Sequence, residues 1–176
     1  FRLTTSNSKA QGRLSRAGRN VMIVASSGAK VSGHIEQFFS GETGQDGIVG
    51  AVMQSPSEID IHINDSIIDG AGQMNVEGSL INLPPEPFAA PYKGKVSIVI
   101  ENSMVRNAGA VPGFEEIASN VWLGGSQFIE DDLPAQGEYF LKISGSTIEG
   151  AGRSGIEFGA RELLTNGQAE KSIYSA

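Results

Sequence analysis

The chain has 176 residues, 23 of them glycine and 7% of them aromatic, and its formal net charge is −7. This length is enough for one domain with a hydrophobic core. Many glycines and few aromatic residues favour short strands joined by turns over long helices. The sequence contains no run of about 18 or more apolar residues, so it predicts no membrane span. The absence of cysteine excludes disulfides, thiolate metal sites and a cysteine nucleophile.

Charge is distributed unevenly along the chain. Residues 1–30 hold six basic residues and no acidic one, so the remaining residues carry a net charge of −13. An acidic body repels phosphate, which argues against nucleic acid as a partner. We assign residues 1–20 to a basic N-terminal segment or partial coil that either contacts an acidic partner or is solvated. This segment lacks the apolar region of a signal peptide. Because the chain begins with Phe1, we expect it to be processed or part of a longer chain.

Three stretches of the chain, residues 59–72, 96–109 and 139–152, align without gaps. Each begins with alternating apolar residues, which predict a strand with one buried face. Each continues with a polar bend, a serine, a second apolar position and a Gly- or Asn-containing turn. The equivalent serines are Ser66, Ser103 and Ser146. Residues 21–33 are a looser copy of the same pattern.

The turn of the third copy contains a G-x-G-x-x-G sequence at Gly150, Gly152 and Gly155. Such a sequence can bind a dinucleotide phosphate where a strand leads into a helix. The equivalent turns at residues 70–72 and 107–109 break the pattern, and apolar residues alternate again after Gly155. We therefore interpret the glycines as a recurring turn and predict no cofactor.

Stacking the copies would bury the apolar face that each copy leaves open, with Ile61, Ile98 and Leu141 in one column. The pattern resembles the right-handed parallel β-helix of pectate-lyase-like proteins and bacterial surface proteins. The resemblance implies an all-β solenoid of about four coils over residues 21–176. Long loop insertions are expected on one side, at residues 33–50, 81–94 and 113–137. The alternative is a β-sandwich or jelly roll with antiparallel strands.

The outward face of the first strands carries the candidate catalytic residues, which are His62, Glu101 and Lys142. In the enzymes that the fold resembles, such a face holds a base, and lyases often add calcium to neutralise a uronate. We find no cluster of acidic residues that would form a calcium cage. Two histidines without cysteine do not predict a zinc site, and His34 has no evident partner in the repeat.

Three aromatic residues of the insertions are candidates for stacking on sugar rings: Tyr92, Trp122 and Phe128. We expect Trp122 to be the most exposed of them. The alternative is that these side chains hold the insertions against the solenoid, because buried aromatic residues contribute large apolar areas.

Two functions follow from this pattern. The first is a non-enzymatic extracellular or cell-surface module with a structural, adhesive or carbohydrate-binding role. Its partner would be a carbohydrate or a surface protein, and its open ends could associate end to end. The alternative is a polysaccharide lyase, hydrolase or epimerase that acts on an acidic polysaccharide. The net charge of −13 beyond residue 30 opposes a polyanionic substrate.

Overall fold

A computed structural model describes residues 2–5, 8–10, 19–41, 43–53, 56–82, 93–113, 115–127, 136–158, 161–162 and 173–175. All regular structure among these residues is β-strand. The strands in chain order are β1 (Arg2–Thr5), β2 (Ser8–Ala10), β3 (Arg19–Ser26), β4 (Lys30–Glu36), β5 (Phe39–Ser40), β6 (Asp46–Met53), β7 (Glu58–Asn64), β8 (Ile67–Asp69), β9 (Met74–Asn82), β10 (Lys93–Glu101), β11 (Met104–Arg106), β12 (Ser119–Gln127), β13 (Gln136–Ser144), β14 (Thr147–Glu149), β15 (Ser154–Phe158), β16 (Arg161–Glu162) and β17 (Ile173–Ser175).

The strands form three sheets that the chain visits in rotation. The first sheet has the order β17-β13-β10-β7-β4-β1-β2, the second β14-β11-β8-β5 and the third β15-β12-β9-β6-β3. From β4 to β17 every described pairing is parallel. We call one passage through the three sheets a coil. The all-β prediction is confirmed, the antiparallel sandwich is wrong, and the rotation is compatible with a parallel β-solenoid.

The core is built from apolar columns that run from coil to coil. Ile98 pairs in register with Ile61 on one side and with Leu141 on the other. Ile61 and Ile98 are fully buried, and Leu141 is almost so. The predicted column is therefore confirmed. Period-2 alternation produces this result because in-register parallel strands place equivalent side chains on the same face.

The bends between strands use residues that tolerate a left-handed backbone. The first bend places Asp65, Asn102 and Gly145 at φ values of 47°, 50° and 59°. Gly150, in the turn that follows β14, has φ 67°. Since β15 follows this turn, the glycine sequence joins two strands and does not open a helix. The interpretation as a recurring turn is confirmed.

Asparagine side chains line the corner between the second and third sheets. Asn75 Nδ2 donates to Asn120 Oδ1 over 2.7 Å and to the Arg106 carbonyl over 2.6 Å. Asn120 Nδ2 donates to the Glu149 carbonyl over 2.7 Å. Both side chains are buried. The amides therefore satisfy backbone groups that would otherwise lack partners at this corner.

The prediction that residues 21–33 are a copy of the repeat is wrong in its position along the coil. Residues 21–33 span β3 of the third sheet and the beginning of β4, and β4 is the first-sheet strand of this coil. Gly33 stands opposite Ile61 in the column, so the apolar signature is lost at that position. The predicted insertion at 33–50 is wrong for the same reason, because these residues include β5 and β6.

The other insertions are divided between two corners. Residues 83–92 and 128–135 connect the third sheet to the first, and their conformation lies outside the described residues. Residues 107–118 connect β11 to β12 at a different corner. The strand predicted inside the insertion at 113–137 is confirmed as part of β12. The prediction that all insertions leave from one side is therefore wrong.

The N-terminal strands end the first sheet in an antiparallel arrangement. β1 pairs antiparallel with β4, and β2 pairs antiparallel with β1. The predicted division at residues 20 and 21 falls inside β3. An antiparallel pair at this edge breaks the parallel repeat of the first sheet.

Candidate functional site

The three candidate catalytic residues meet on the outward face of the first sheet. His62 lies on β7, Glu101 ends β10, and Lys142 lies on β13. His62 and Lys142 are both in register with Val99, so they are two coils apart. Glu101 comes from the coil between them, two residues further along its strand, and its side chain reaches both.

The Glu101 carboxylate joins the two basic side chains. Oε1 is 2.8 Å from Lys142 Nζ, and Oε2 is 3.0 Å from His62 Nε2. Ser144 Oγ donates to Oε1 over 3.2 Å. We call Glu101, His62, Lys142 and Ser144 the Glu101 cluster. All four side chains reach solvent to some extent.

These contacts determine the protonation state of the carboxylate. Hydrogen bonds from Lys142, His62 and Ser144 lower the pKa of Glu101 from 4.5 to about 2. Each donor stabilises the charged form of the acid, and this outweighs its partial desolvation. Glu101 is therefore a permanent anion at neutral pH, and its negative charge faces two basic groups.

His34 lies beside this cluster, which the sequence did not predict. It pairs in register with His62, and the two rings meet edge to face with centroids 5.0 Å apart. Its Nε2 atom is 4.0 Å from Glu36 Oε2. The looser copy hid this neighbour, since only the register of β4 with β7 reveals that the two histidines share a column.

The aromatic candidates have a different outcome. Trp122, expected to be exposed, has only 1% of its surface accessible. It lies on β12 between Glu77 and Glu157 of the neighbouring strands, at a position where the third sheet is covered on both faces. Burial prevents it from stacking on a sugar, so this prediction is wrong. Tyr92 and Phe128 lie outside the described residues.

No protein-family model, curated protein or solved structure matches the chain. Its function is therefore argued from its own residues. Among the residues with a described position, no group of three or more His, Asp and Glu side chains could hold a metal ion. In the same part of the chain, no helix has the length and apolar character needed to cross a membrane.

Proposed function

We propose that the chain is a right-handed parallel β-helix module of an extracellular or cell-surface protein, with a non-enzymatic, adhesive and carbohydrate-binding role. The observation that carries the non-enzymatic part of this proposal is the state of the Glu101 cluster. One carboxylate engages His62 and Lys142, two basic residues of the face on which the fold's enzymes would place a base. The β-helix resemblance and the parallel register of the three sheets support the architecture.

The Glu101 cluster is poorly suited to general acid–base chemistry. An efficient catalytic group has a pKa near the working pH, whereas the pKa of Glu101 is about 2. Glu101 therefore has no proton to donate at neutral pH, and it is a weak base. Lys142 Nζ donates a hydrogen bond to this carboxylate, so the amine that a lyase would use as its base is already engaged by Glu101. Charge pairing between coils is a structural role that fits all of these contacts.

The regular stack of coils supports the surface location, and the cysteine content is compatible with it. A chain with no cysteine fits a surface protein that crosses a membrane unfolded, and it equally fits a reducing cytosol. Stacked coils also present rows of equivalent groups at a fixed spacing of about 4.8 Å. Such a rigid, regular surface suits contact with a repetitive polymer.

An assay for eliminative cleavage tests the non-enzymatic role. The chain is incubated with polygalacturonate, alginate and other uronate polymers, and the ultraviolet absorbance of the unsaturated product is followed. We expect no turnover. Cleavage that Lys142→Ala abolishes, while Lys30→Ala leaves it intact, would overturn the proposal in favour of a lyase. Lys30 is a suitable control because it pairs with Glu58, outside the Glu101 cluster.

A second measurement tests the carbohydrate-binding role. The chain is applied to immobilised neutral and acidic polysaccharides, and retention is measured against an uncoated matrix. We expect saturable retention on at least one polysaccharide that is competed by the same polymer in solution. Absence of retention on every matrix contradicts this part of the proposal.

A further inference from the structure

The outward side of the second sheet carries an exposed apolar column. Phe39, Ile67, Met104 and Thr147 are in register along β5, β8, β11 and β14. The Phe39 side chain is 51% exposed, and Ile67 is also exposed. An aromatic ring and two aliphatic side chains therefore face solvent along the stack axis.

A charged column runs beside the apolar one. Asp69, Arg106 and Glu149 are in register, and Arg106 Nη2 lies 2.9 Å from Asp69 Oδ2. Asn107 Nδ2 donates to Asp69 Oδ1 over 2.8 Å. Two carboxylates and one guanidinium give this column a net negative charge.

A groove of about 600 Å³ lies along the turns that follow these columns, and Phe39 and Asp69 are the residues of the two columns that line it. Its size is within the range of ligand-binding clefts. The groove spans all four coils from Phe39 to the turn at residues 150–152. Its floor consists mainly of glycine and alanine, and the Phe39 ring lies across Gly41 at one end. We call this cleft the turn groove.

We infer that the turn groove binds a neutral oligosaccharide, laid along the stack axis, with Phe39 as the stacking platform and Asp69 and Asn107 as hydrogen-bonding partners. This inference rests on the carbohydrate-binding role proposed above and gives that role a site. The glycine floor allows a ligand to approach the backbone closely. The turns recur about every 4.8 Å along the stack, so a polymer of like units would meet equivalent groups.

Charge selects among the possible ligands. Among the described residues that line the groove, the charged one is the carboxylate Asp69, and the charged column beside it is net negative, so a polyuronate or a nucleic acid would be repelled. A sugar ring without charge offers an apolar C–H face to Phe39 and hydroxyl groups to the carboxylate and the amide. This chemistry fits the neighbouring apolar and polar columns.

The test is titration calorimetry of the whole chain with neutral β-linked and α-linked hexose oligosaccharides and with oligogalacturonate. Phe39→Ala removes the platform, and Ala110→Leu narrows the groove. We expect Phe39→Ala to weaken binding of the neutral ligand about tenfold, as for the loss of one aromatic contact. We expect Ala110→Leu to weaken binding as well, because the larger side chain occupies part of the groove. Met22→Ala is the matched control, because Met22 is 50% exposed and lies on the third sheet. We expect it to bind like the wild type.

The outcomes separate the site from the function. Neutral-ligand binding that is unchanged in Phe39→Ala and Ala110→Leu overturns the turn groove while the carbohydrate-binding role stands. Stronger binding of oligogalacturonate than of every neutral ligand also overturns the inference alone. Absence of binding to every carbohydrate overturns both. Unfolding midpoints of the variants, measured beside the titrations, confirm that each change acts on a folded chain.

Discussion

The main-chain N–H of Ser66 donates a hydrogen bond to Ser103 Oγ, 3.1 Å away on the next coil. The same hydroxyl donates to the Glu101 carbonyl over 2.7 Å. One coil further on, the Ser103 N–H donates to Ser146 Oγ over 3.0 Å. The Ser103 hydroxyl therefore satisfies the end of its own strand and the bend of the preceding coil. We call this series of contacts the serine ladder.

Replacing Ser103 tests the serine ladder. Ser103→Ala leaves the Ser66 N–H and the Glu101 carbonyl without their hydroxyl partner. Since the side chain is buried, we expect a loss of about 1–3 kcal/mol in the free energy of unfolding. Urea denaturation measures this change. Ser97→Ala is the control, because Ser97 is half-buried on the outward face of β10 and its replacement should be nearly neutral.

Two glycines at the corner between the second and third sheets should respond differently to an added methyl group. A Cβ at Gly72 would collide with the backbone carbonyl of Gly44, whereas a Cβ at Gly155 would lie 3.6 Å from Ile148, an ordinary contact. We expect Gly72→Ala to lower the free energy of unfolding by about 1–3 kcal/mol, because a backbone atom cannot move aside as a side chain can. Gly155→Ala should lose much less. Equal urea midpoints for the two variants would contradict the close approach of the coils at Gly72.

The Glu101 cluster makes stability depend on acid pH. The pKa of Glu101 is lowered from 4.5 to about 2, so its contribution to folding is fully present above pH 4.5 and is lost as pH falls towards 2. We expect the melting temperature of Glu101→Gln to depend less on pH over this interval than that of the wild type. Carboxyl titration by NMR should give an acid midpoint near 2 in the wild type.

Exchange of the partner separates the causes of this shift. Lys142→Met removes the largest contribution to the lowered pKa of Glu101 and should raise that pKa towards its ordinary value. Lys30→Met removes a similar surface lysine that pairs with Glu58 and should leave Glu101 unchanged. A Glu101 midpoint that moves equally in both variants would show a general effect of net charge in place of a local contact.

The sequence predicted the parts of this structure that depend on period-2 alternation. The column through Ile61, Ile98 and Leu141 follows from aligned apolar residues, and their register also brings His62, Glu101 and Lys142 to one face. Alternation carries no information about what covers the outer face of a sheet. The expectation that Trp122 is exposed came from its place in a predicted insertion, whereas the side chain is buried in the third sheet.

The strands of the first coil were predicted at the wrong residues because this coil departs from the repeat pattern at two positions. Gly33 replaces an isoleucine in the core column, and Phe38 takes the place of the ladder serine opposite Ser66. A single sequence offers no alignment to recover such exceptions. The buried asparagines were also missed, although Asn-Val recurs at the start of β3, β9 and β12. That dipeptide is the signal that could have identified them.

The asparagine corner gives the most specific prediction about the core. Asn120 Nδ2 is a donor to the Glu149 carbonyl, and Oδ1 accepts from Asn75 Nδ2 and from the Ala108 N–H, 3.2 Å away. In Asn120→Asp the carboxylate still accepts hydrogen bonds through one oxygen. Its second oxygen replaces the Nδ2 donor and faces the Glu149 carbonyl oxygen, so two acceptors meet. This unpaired contact and full burial should raise the pKa of the new acid above about 3.9, its value in the unfolded chain.

The sign of the pH dependence follows from that shift. Above pH of about 3.9 the unfolded chain releases the proton that the folded chain retains, so stability falls as pH rises towards the raised pKa. We expect Asn120→Asp to be strongly destabilised at neutral pH and to regain part of the loss on mild acidification, when the protonated acid can donate to the Glu149 carbonyl. Asn120→Ala removes the same contacts without a titratable group, so its loss should not depend on pH. Urea denaturation of both variants at several pH values measures these losses. Equal losses in the free energy of unfolding for the aspartate and alanine variants at every pH would contradict the hydrogen-bond pattern at this corner.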